Sequence, residues 1–464
     1  MIKKNLKEVL YSSLAQATIR LYLTPHLIHK LFLVVFILCS SSLASFLVIQ
    51  SILQYYTYGV STTSRNIYET PSLFPKVTLC NYNRFTTKYS FDLIQKLDVS
   101  NVENLLPSQH KLFSHKLDDV LFFCLFNWKY CDAGDFTWAY NEQYGNCYTF
   151  NSGFDSNGHK SDDIKESNIA GPLYGLQLVF YINVYEKLLD LMFGSMPLIT
   201  NLGALIQIGN NSKHASYYSN DGVFISPGFF TYIAVEREFK SMLPKPYSDC
   251  EIDTNAPKMN ARSELDLYTL IAQSGYEYSQ QLCFSQCLQK QSIARYNCSL
   301  PLIITLFKDV DTCLIDFDGF IFYFSKLTSD NFFNRVCLPV CPLECSQTLY
   351  KTSMSFNHLN DKHPLFSAKI ESNPNLSCDF INRPISDEHS LAGVNIFYSS
   401  LSYKSTTESP QTNVITLLAS IGGNLSLFLG VSMFSLCEII EVFIELFYIL
   451  ISRRNSTQPI EQIS

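Results

Sequence analysis

Charge is scarce in this sequence. Only 16% of its 464 residues are Asp, Glu, Lys or Arg, and the formal net charge is −7. That share is below that of a typical soluble protein, and the sign leaves no electrostatic footprint for nucleic acid. No glycine-rich phosphate loop and no dinucleotide fingerprint occurs. The nine His are scattered. None stands at ligand spacing beside Cys337, Cys341 and Cys345, so zinc there is the weaker of two readings. No Ser-His-Asp or metal constellation is legible, and the chain reads as a non-enzyme with neither cofactor nor metal. Internal repeats, low-complexity tracts and linkers are also missing; only residues 452–464 read as loose.

Aromatic and apolar residues are plentiful: 35 Phe and 28 Tyr lift the aromatic share to 14%. Two apolar stretches stand out. The first, Leu31 to Tyr56, carries a small-polar patch at Ser40, Ser41, Ser42 and Ser45 and is long enough to span a bilayer. Lys3, Lys4, Lys7, Arg20 and Lys30 precede it against one acid, Glu8. A cleaved signal peptide is the alternative, but leader and span are both long for one. The second stretch, Val414 to Ile451, has about 38 residues; a straight helix of them would reach roughly 57 Å, against a hydrocarbon core of about 30 Å. A simple anchor needs neither that surplus nor Gly422, Gly423, Gly430, Asn424, Ser426 and Ser432. It also has no use for Glu438, Glu441 and Glu445, which share one helical face. Carboxylates in a span usually face a bundle interior or an ion path. The competing readings are an anchor whose acids lie beyond the membrane and, for Glu445, a solvated helix end.

Basic residues before the first span and Arg453-Arg454 after the second put both ends in the cytosol. The expected organisation is a cytosolic N-terminus (1–30), a first transmembrane helix (31–56), an extracellular cysteine-rich domain (57–413), a second transmembrane helix (414–451) and a cytosolic tail (452–464). Of 15 Cys, all but Cys39 and Cys437 fall in the middle region, which suits disulfides in an oxidising compartment. Asn210, Asn297 and Asn375 head glycosylation sequons there; Asn424 heads another, inside the second span. The middle reads as mixed α and β. Strand-like runs are Phe74–Cys80, Leu176–Val184, Ala204–Ile208 and Phe230–Val235, with turns at Gly222 and Pro227-Gly228. Residues 276–292 and 320–334 are more helix-like.

Several motifs together, in order, resemble the degenerin/epithelial sodium channel family. They begin with Phe74-Pro-Lys-Val-Thr-Leu-Cys80-Asn81, then Phe126-Asn127 between Cys124 and Cys131, Phe136-Thr137, and Tyr144-Gly-Asn-Cys147-Tyr-Thr-Phe-Asn151. Gly171-Pro-Leu-Tyr-Gly175, Ser226-Pro-Gly228 and Leu243-Pro-Lys-Pro-Tyr247-Ser-Asp-Cys250 follow. Next come Tyr278-Ser279 with Cys283-x-x-x-Cys287, and Cys337 to Cys345 running on to Tyr350. Ile421-Gly-Gly-Asn-Leu-Ser-Leu-Phe-Leu-Gly-Val-Ser432 resembles the family's pore signature.

The resemblance implies an α+β membrane protein, a trimeric channel with two transmembrane helices and a large disulfide-rich mixed α/β ectodomain in each subunit. It implies the pairs Cys80–Cys147, Cys124–Cys131, Cys250–Cys345, Cys283–Cys341, Cys287–Cys337 and Cys298–Cys313. Gly430-Val431-Ser432 would be the selectivity filter, Glu438 and Glu441 acidic pore rings, Ala419 a gate, and Tyr58 with Tyr247 a coupling contact. The implied function is a sodium-selective, amiloride-sensitive channel subunit of the plasma membrane, passing Na⁺ as a homo- or heterotrimer in lipid, with no nucleic-acid partner. Three departures stand out. Cys298-Ser299-Leu300 replaces the family's Cys-x-Cys, Cys378 is left over, and Ala17–Tyr22 lacks the His-Gly found before the first span in many members.

The rival readings are another two-span trimeric channel such as an ATP-gated one, a non-conducting two-span receptor, adhesion protein or regulatory channel subunit, and a membrane-tethered enzyme. The stimulus is left open among protons, a peptide, force and constitutive opening. Asp309, Asp311, Asp316 and Asp318 read more readily as a solvated loop than as a proton sensor.

Overall fold

The computed structural model describes residues 25–83, 85–90, 92, 107–141, 144–154, 159–161, 163–182, 202–211, 222–252, 267–274, 276–300, 303–308, 310–313, 317–328, 331–360, 391–430 and positions 437, 440, 444 and 447. In chain order, helix α1 (Leu27–Tyr56) is followed by strands β1 (Val60–Tyr68), β2 (Ser72–Leu73) and β3 (Lys76–Asn81). Then come β4 (Leu121–Phe126), β5 (Lys129–Tyr130), β6 (Phe136–Asn141), β7 (Gly145–Phe150), β8 (Glu166–Ser167), β9 (Leu176–Tyr181), β10 (Ala204–Gly209), β11 (Gly222–Ile225) and β12 (Phe229–Ser241). Three helices follow, α2 (Leu267–Ser274), α3 (Gln280–Tyr296) and α4 (Phe317–Leu327), then the long strands β13 (Ser346–His358) and β14 (Leu391–Pro410), and helix α5 (Val414–Leu429).

The chain divides into two compact units, 1–61 with 408–464 and 62–407. The division lies inside β1 and β14. The reason is local hydrogen bonding: Gln411 N–H donates to Gly59 O at 2.9 Å, and the Ser409 hydroxyl donates to Ser61 O at 3.3 Å. These contacts keep the strand ends with the helices.

The larger unit holds two main sheets among the described residues. One runs β13-β12-β14-β9-β4-β5, with β1 also paired to β14. β12 is antiparallel to β13 over its full length and parallel to β14, so non-local pairing defines this sheet. The second runs β11-β10-β3-β7-β6, and all its neighbours are antiparallel. β3, β9 and β10 are almost wholly buried, although Lys76, Thr78, Gln177 and Gln207 interrupt their mainly apolar sequences. Their side chains join Phe74, Phe126, Phe150 and Tyr398 in one core. Phe74 meets Phe126 edge-on at 4.9 Å between centroids and Tyr398 at 6.0 Å.

Gly175, in the Gly171–Gly175 motif, is required sterically. A Cβ there would lie 2.1 Å from the Ile396 carbonyl oxygen. That close approach lets β9 and β14 register from Leu176↔Ile396 to Tyr181↔Leu391.

A second core surrounds α2 and α3. α3 starts at Ser279, whose hydroxyl accepts from Leu282 N–H at 3.2 Å, and ends on Asn297 in the left-handed region at φ 58°. The expectation of a helix from 276 is corrected, since 276–279 are not helical. The helix expected over 320–334 is instead α4 followed by a separate π-helical turn, Phe333–Cys337. Gly222 opens β11 rather than marking a turn, whereas Pro227-Gly228 does turn the chain, with Gly228 at φ 78°.

Among the described residues, six disulfides hold this unit, and they are the pairs that the family pattern implies. Cys80–Cys147 bridges directly registered residues of β3 and β7, and Cys124–Cys131 clamps the β4–β5 hairpin. Cys283 and Cys287, one turn apart on α3, reach Cys341 and Cys337. Cys250–Cys345 and Cys298–Cys313 complete the set. Zinc at Cys337, Cys341 and Cys345 is therefore ruled out, because each is already in a disulfide. Cys378 lies outside the described residues.

Candidate pore helix

α1 begins at Leu27, four residues before the expected Leu31, and takes in His29 and Lys30. By length and composition it is apolar enough to cross a membrane. Its half-buried positions, Leu33, Ile37, Ser40, Ser41, Leu47, Val48, Ser51 and Tyr55, recur at helical spacing around Ala44, its one buried residue. The hydroxyls of Ser40, Ser41, Ser45 and Ser51 donate back to carbonyls three or four residues earlier, at 2.8–3.1 Å. They are thus satisfied within an apolar surround. α1 and α5 pack together.

α5 starts cleanly. Asn413 Oδ1 accepts from Thr416 N–H at 2.7 Å, a side-chain N-cap. Its half-buried residues, Leu417, Ile421, Asn424, Leu425 and Phe428, form one stripe. The other side carries Ala419, Gly422, Gly423, Ser426 and Gly430, all exposed in the single chain. A Cβ added at Gly422, Gly423 or Gly430 would meet nothing within 4 Å. Among the described residues, no close approach demands small residues there. Asn424, the head of the sequon in the second span, sits half-buried in the helix.

The helix stops at Gly430, which takes a left-handed conformation at φ 71°, ψ 16° and donates its N–H to Ser426 O at 2.9 Å. A side chain would be strained there, which explains the glycine. The apolar sequence continues past this point, and helical backbone is described again at Cys437, Ile440, Ile444 and Phe447. The long apolar stretch is thus not one unbroken rod. Val431, Ser432, Glu438, Glu441 and Glu445 lie outside the described residues.

The remaining expected site residues fall as follows. Tyr58 follows α1 at φ 50°, with its ring 6.2 Å from Tyr55 and 6.3 Å from Tyr56. Tyr247 is half-buried in the other unit, its N–H donating to Pro244 O at 3.0 Å. Asn210 and Asn297 are exposed, and Asn375 is outside the described residues.

Sequence reasoning passed over three polar sites. Buried Arg237 contacts the Glu69 carboxylate, donates to Ser72 Oγ at 3.2 Å, and lies 5.0 Å from the Phe239 ring and 5.2 Å from that of Tyr403. Next to it in sequence, Glu238 receives Lys351 at 2.6 Å, Lys404 at 3.3 Å and the Thr406 hydroxyl at 2.9 Å. The Lys351 hydrogen bond, helped by Thr406 and Lys404, holds its carboxyl at about 2 against the opposing effect of burial. The third site is His115. It lines a cavity of about 30 Å³ with Asn81, Ser114, Asn146 and Tyr148, and its Nε2 has no hydrogen-bond partner among the described residues. Burial lowers its pKa to about 4, against a smaller opposing effect of Asp119. The cavity is large enough for an ordered water or two.

A disulfide-rich mixed α/β domain, joined in sequence at both of its ends to apolar helices, defines the class of protein. The family model described as amiloride-sensitive sodium channel matches residues 12–114 and 101–442. The chain belongs to this family, the degenerin/epithelial sodium channel group. Relatives include the epithelial sodium channel subunit gamma of Neoceratodus forsteri, 27% identical over 356 residues, covering 75% of this chain and 49% of the relative. The subunit alpha of Xenopus laevis is 24% identical over 379 residues, covering 79% and 54% respectively. The chain spans about half the length of the curated relatives it matches. A solved cryo-EM structure of a proton-activated chloride channel aligns over 89% of this chain and 98% of its own, with 9% identity and a TM-score of 0.33, too low a likeness to bear on function.

Proposed function

We propose that this chain is one subunit of a trimeric, sodium-selective channel of the plasma membrane, blocked by amiloride, with both termini in the cytosol. The observation that carries the reading is the break in α5 at Gly430, midway along an apolar stretch too long for a single crossing. Three copies would bring Gly430-Val431-Ser432 together on an axis, where backbone carbonyls replace part of the hydration shell of Na⁺. The exposed small-residue side of α5 supports this, because its open space suits close approach between copies. Glu438 and Glu441 would form rings that attract cations and turn back anions. Ala419, on the small-residue side, would sit at the closed helix crossing, and Tyr58 with Tyr247 would carry ectodomain movement to α1.

Epithelial sodium channel subunits named alpha, beta and gamma are all among the relatives. That favours assembly with related subunits over a homotrimer, and so does the lack of a His-Gly pair before α1. The test is voltage clamp of cells expressing the chain alone and with related subunits, under acid and candidate peptides. The expected result is a current reversing near the Na⁺ equilibrium potential and blocked by amiloride. Surface-expressed trimers that conduct under none of these conditions would favour the receptor or regulatory-subunit reading.

A further inference from the structure

In the sequon at Asn297 the middle residue, Cys298, is disulfide-bonded. In the folded chain this tripeptide is tied down at nearly every polar group. Asn297 N–H donates to Ile293 O at 2.9 Å, and Cys298 O accepts from the Ser292 hydroxyl at 2.9 Å. Ser299 is 1% exposed. Its N–H donates to Asp311 O at 2.9 Å, its carbonyl accepts from Cys313 N–H at 2.8 Å, and its hydroxyl donates to Asp311 O at 3.3 Å. Leu300 exchanges two bonds with the fully buried Gln289, at 2.7 and 3.0 Å. Asn297 is exposed and Cys298 half-buried.

N-glycosylation needs the Asn amide and the Ser hydroxyl of the sequon presented together on an accessible backbone. Here the hydroxyl is buried and bonded, and freeing it means opening the Ser299–Thr312 bridge beside the disulfide. We infer that closure of Cys298–Cys313 and glycosylation of Asn297 compete: the glycan is added before the disulfide closes or not at all, so the mature protein is a mixture of glycosylated and bare Asn297. The donor is a lipid-linked oligosaccharyl diphosphate. The bond from Asn297 Nδ2 to the sugar C1 forms, the C1–O bond to the diphosphate breaks, the Nδ2 proton passes to a base of the transferase, and the lipid diphosphate leaves. Once attached, the glycan projects from the exposed Asn297 side chain without disturbing the buried hydroxyl. The inference rests on the reading that residues 57–413 are extracellular.

The test is site-resolved glycopeptide mass spectrometry on the full chain made in glycosylating cells. Wild type is compared with Cys313→Ser, and with wild type synthesised during a brief dithiothreitol exposure. Occupancy is set during synthesis, so it can be read whether or not the variant folds. The expected result is partial occupancy at Asn297 in wild type, rising at least twofold in the variant and under reductant, with Asn210 unchanged. Full occupancy in wild type, or no rise under either treatment, overturns the inference. If Asn210 carries glycan in that case, only the ordering falls; if Asn210 is bare as well, the extracellular placement falls with it.

Discussion

His115 and Glu238 show how single side chains set the acid response of the larger unit. Burial lowers the His115 pKa from 6.5 to about 4. Its neutral form is the one the fold accommodates, so its contribution is complete above pH 6.5 and is lost as pH falls toward 4. Glu238 is held at about 2 from 4.5, chiefly by Lys351, so its contribution is complete above 4.5 and declines toward pH 2. His115→Gln is predicted to flatten stability between pH 6.5 and 4 while leaving the lower window intact; Glu238→Gln should do the reverse. Thermal melts of the detergent-solubilised protein against pH check both, and identical pH profiles for the two variants would contradict the assignment.

Elements carry the next layer. α3 presents Cys283 and Cys287 on one face, Cys287 bonded to Cys337 in the turn Phe333–Cys337 and Cys283 to Cys341 just after it. Replacing Cys287 and Cys337 together by Ser is predicted to cost about 2–5 kcal/mol of stability, read as faster hydrogen exchange in α3. Exchange that rises equally in β3 and β10 would mean that the bond acts on the whole unit instead. For α5, Ala419→Cys modified by a bulky thiol reagent is predicted to raise standing current several-fold, because an enlarged side chain blocks the closed crossing; current that stays flat on confirmed modification removes Ala419 from the gate. The buried strands β3, β9 and β10 were legible because they are short runs dominated by β-branched, aromatic and other apolar residues, with Lys76, Thr78, Gln177 and Gln207 as interruptions. β13 and β14 were not. Ser346–His358 is exposed over most of its length, and the second half of β14 is rich in Ser and Thr. Their strand character comes from the long pairings with β12, a non-local cause that no local window holds. The start of α1 was missed because His29 and Lys30 conceal a helix that continues beyond its apolar part. The disulfide pairs became legible only through the family pattern, since spacing by itself permits many connectivities.

At the scale of the whole molecule, a disulfide-bonded domain is joined in sequence to two apolar helices, and the second helix breaks at Gly430, the last glycine of the motif that resembles the family's pore signature. The glycine is explicable from backbone geometry alone, since Gly430 sits at φ 71°. Its role in ion selection follows if three copies meet there. The most direct measurement is the reversal potential under bi-ionic Na⁺/K⁺ conditions, for wild type and Gly430→Ala at matched surface expression. The account predicts strong preference for Na⁺ in wild type and a permeability ratio reduced several-fold by the substitution, because a strained Ala displaces the carbonyls beside it. An unchanged ratio in a conducting Gly430→Ala channel would contradict it.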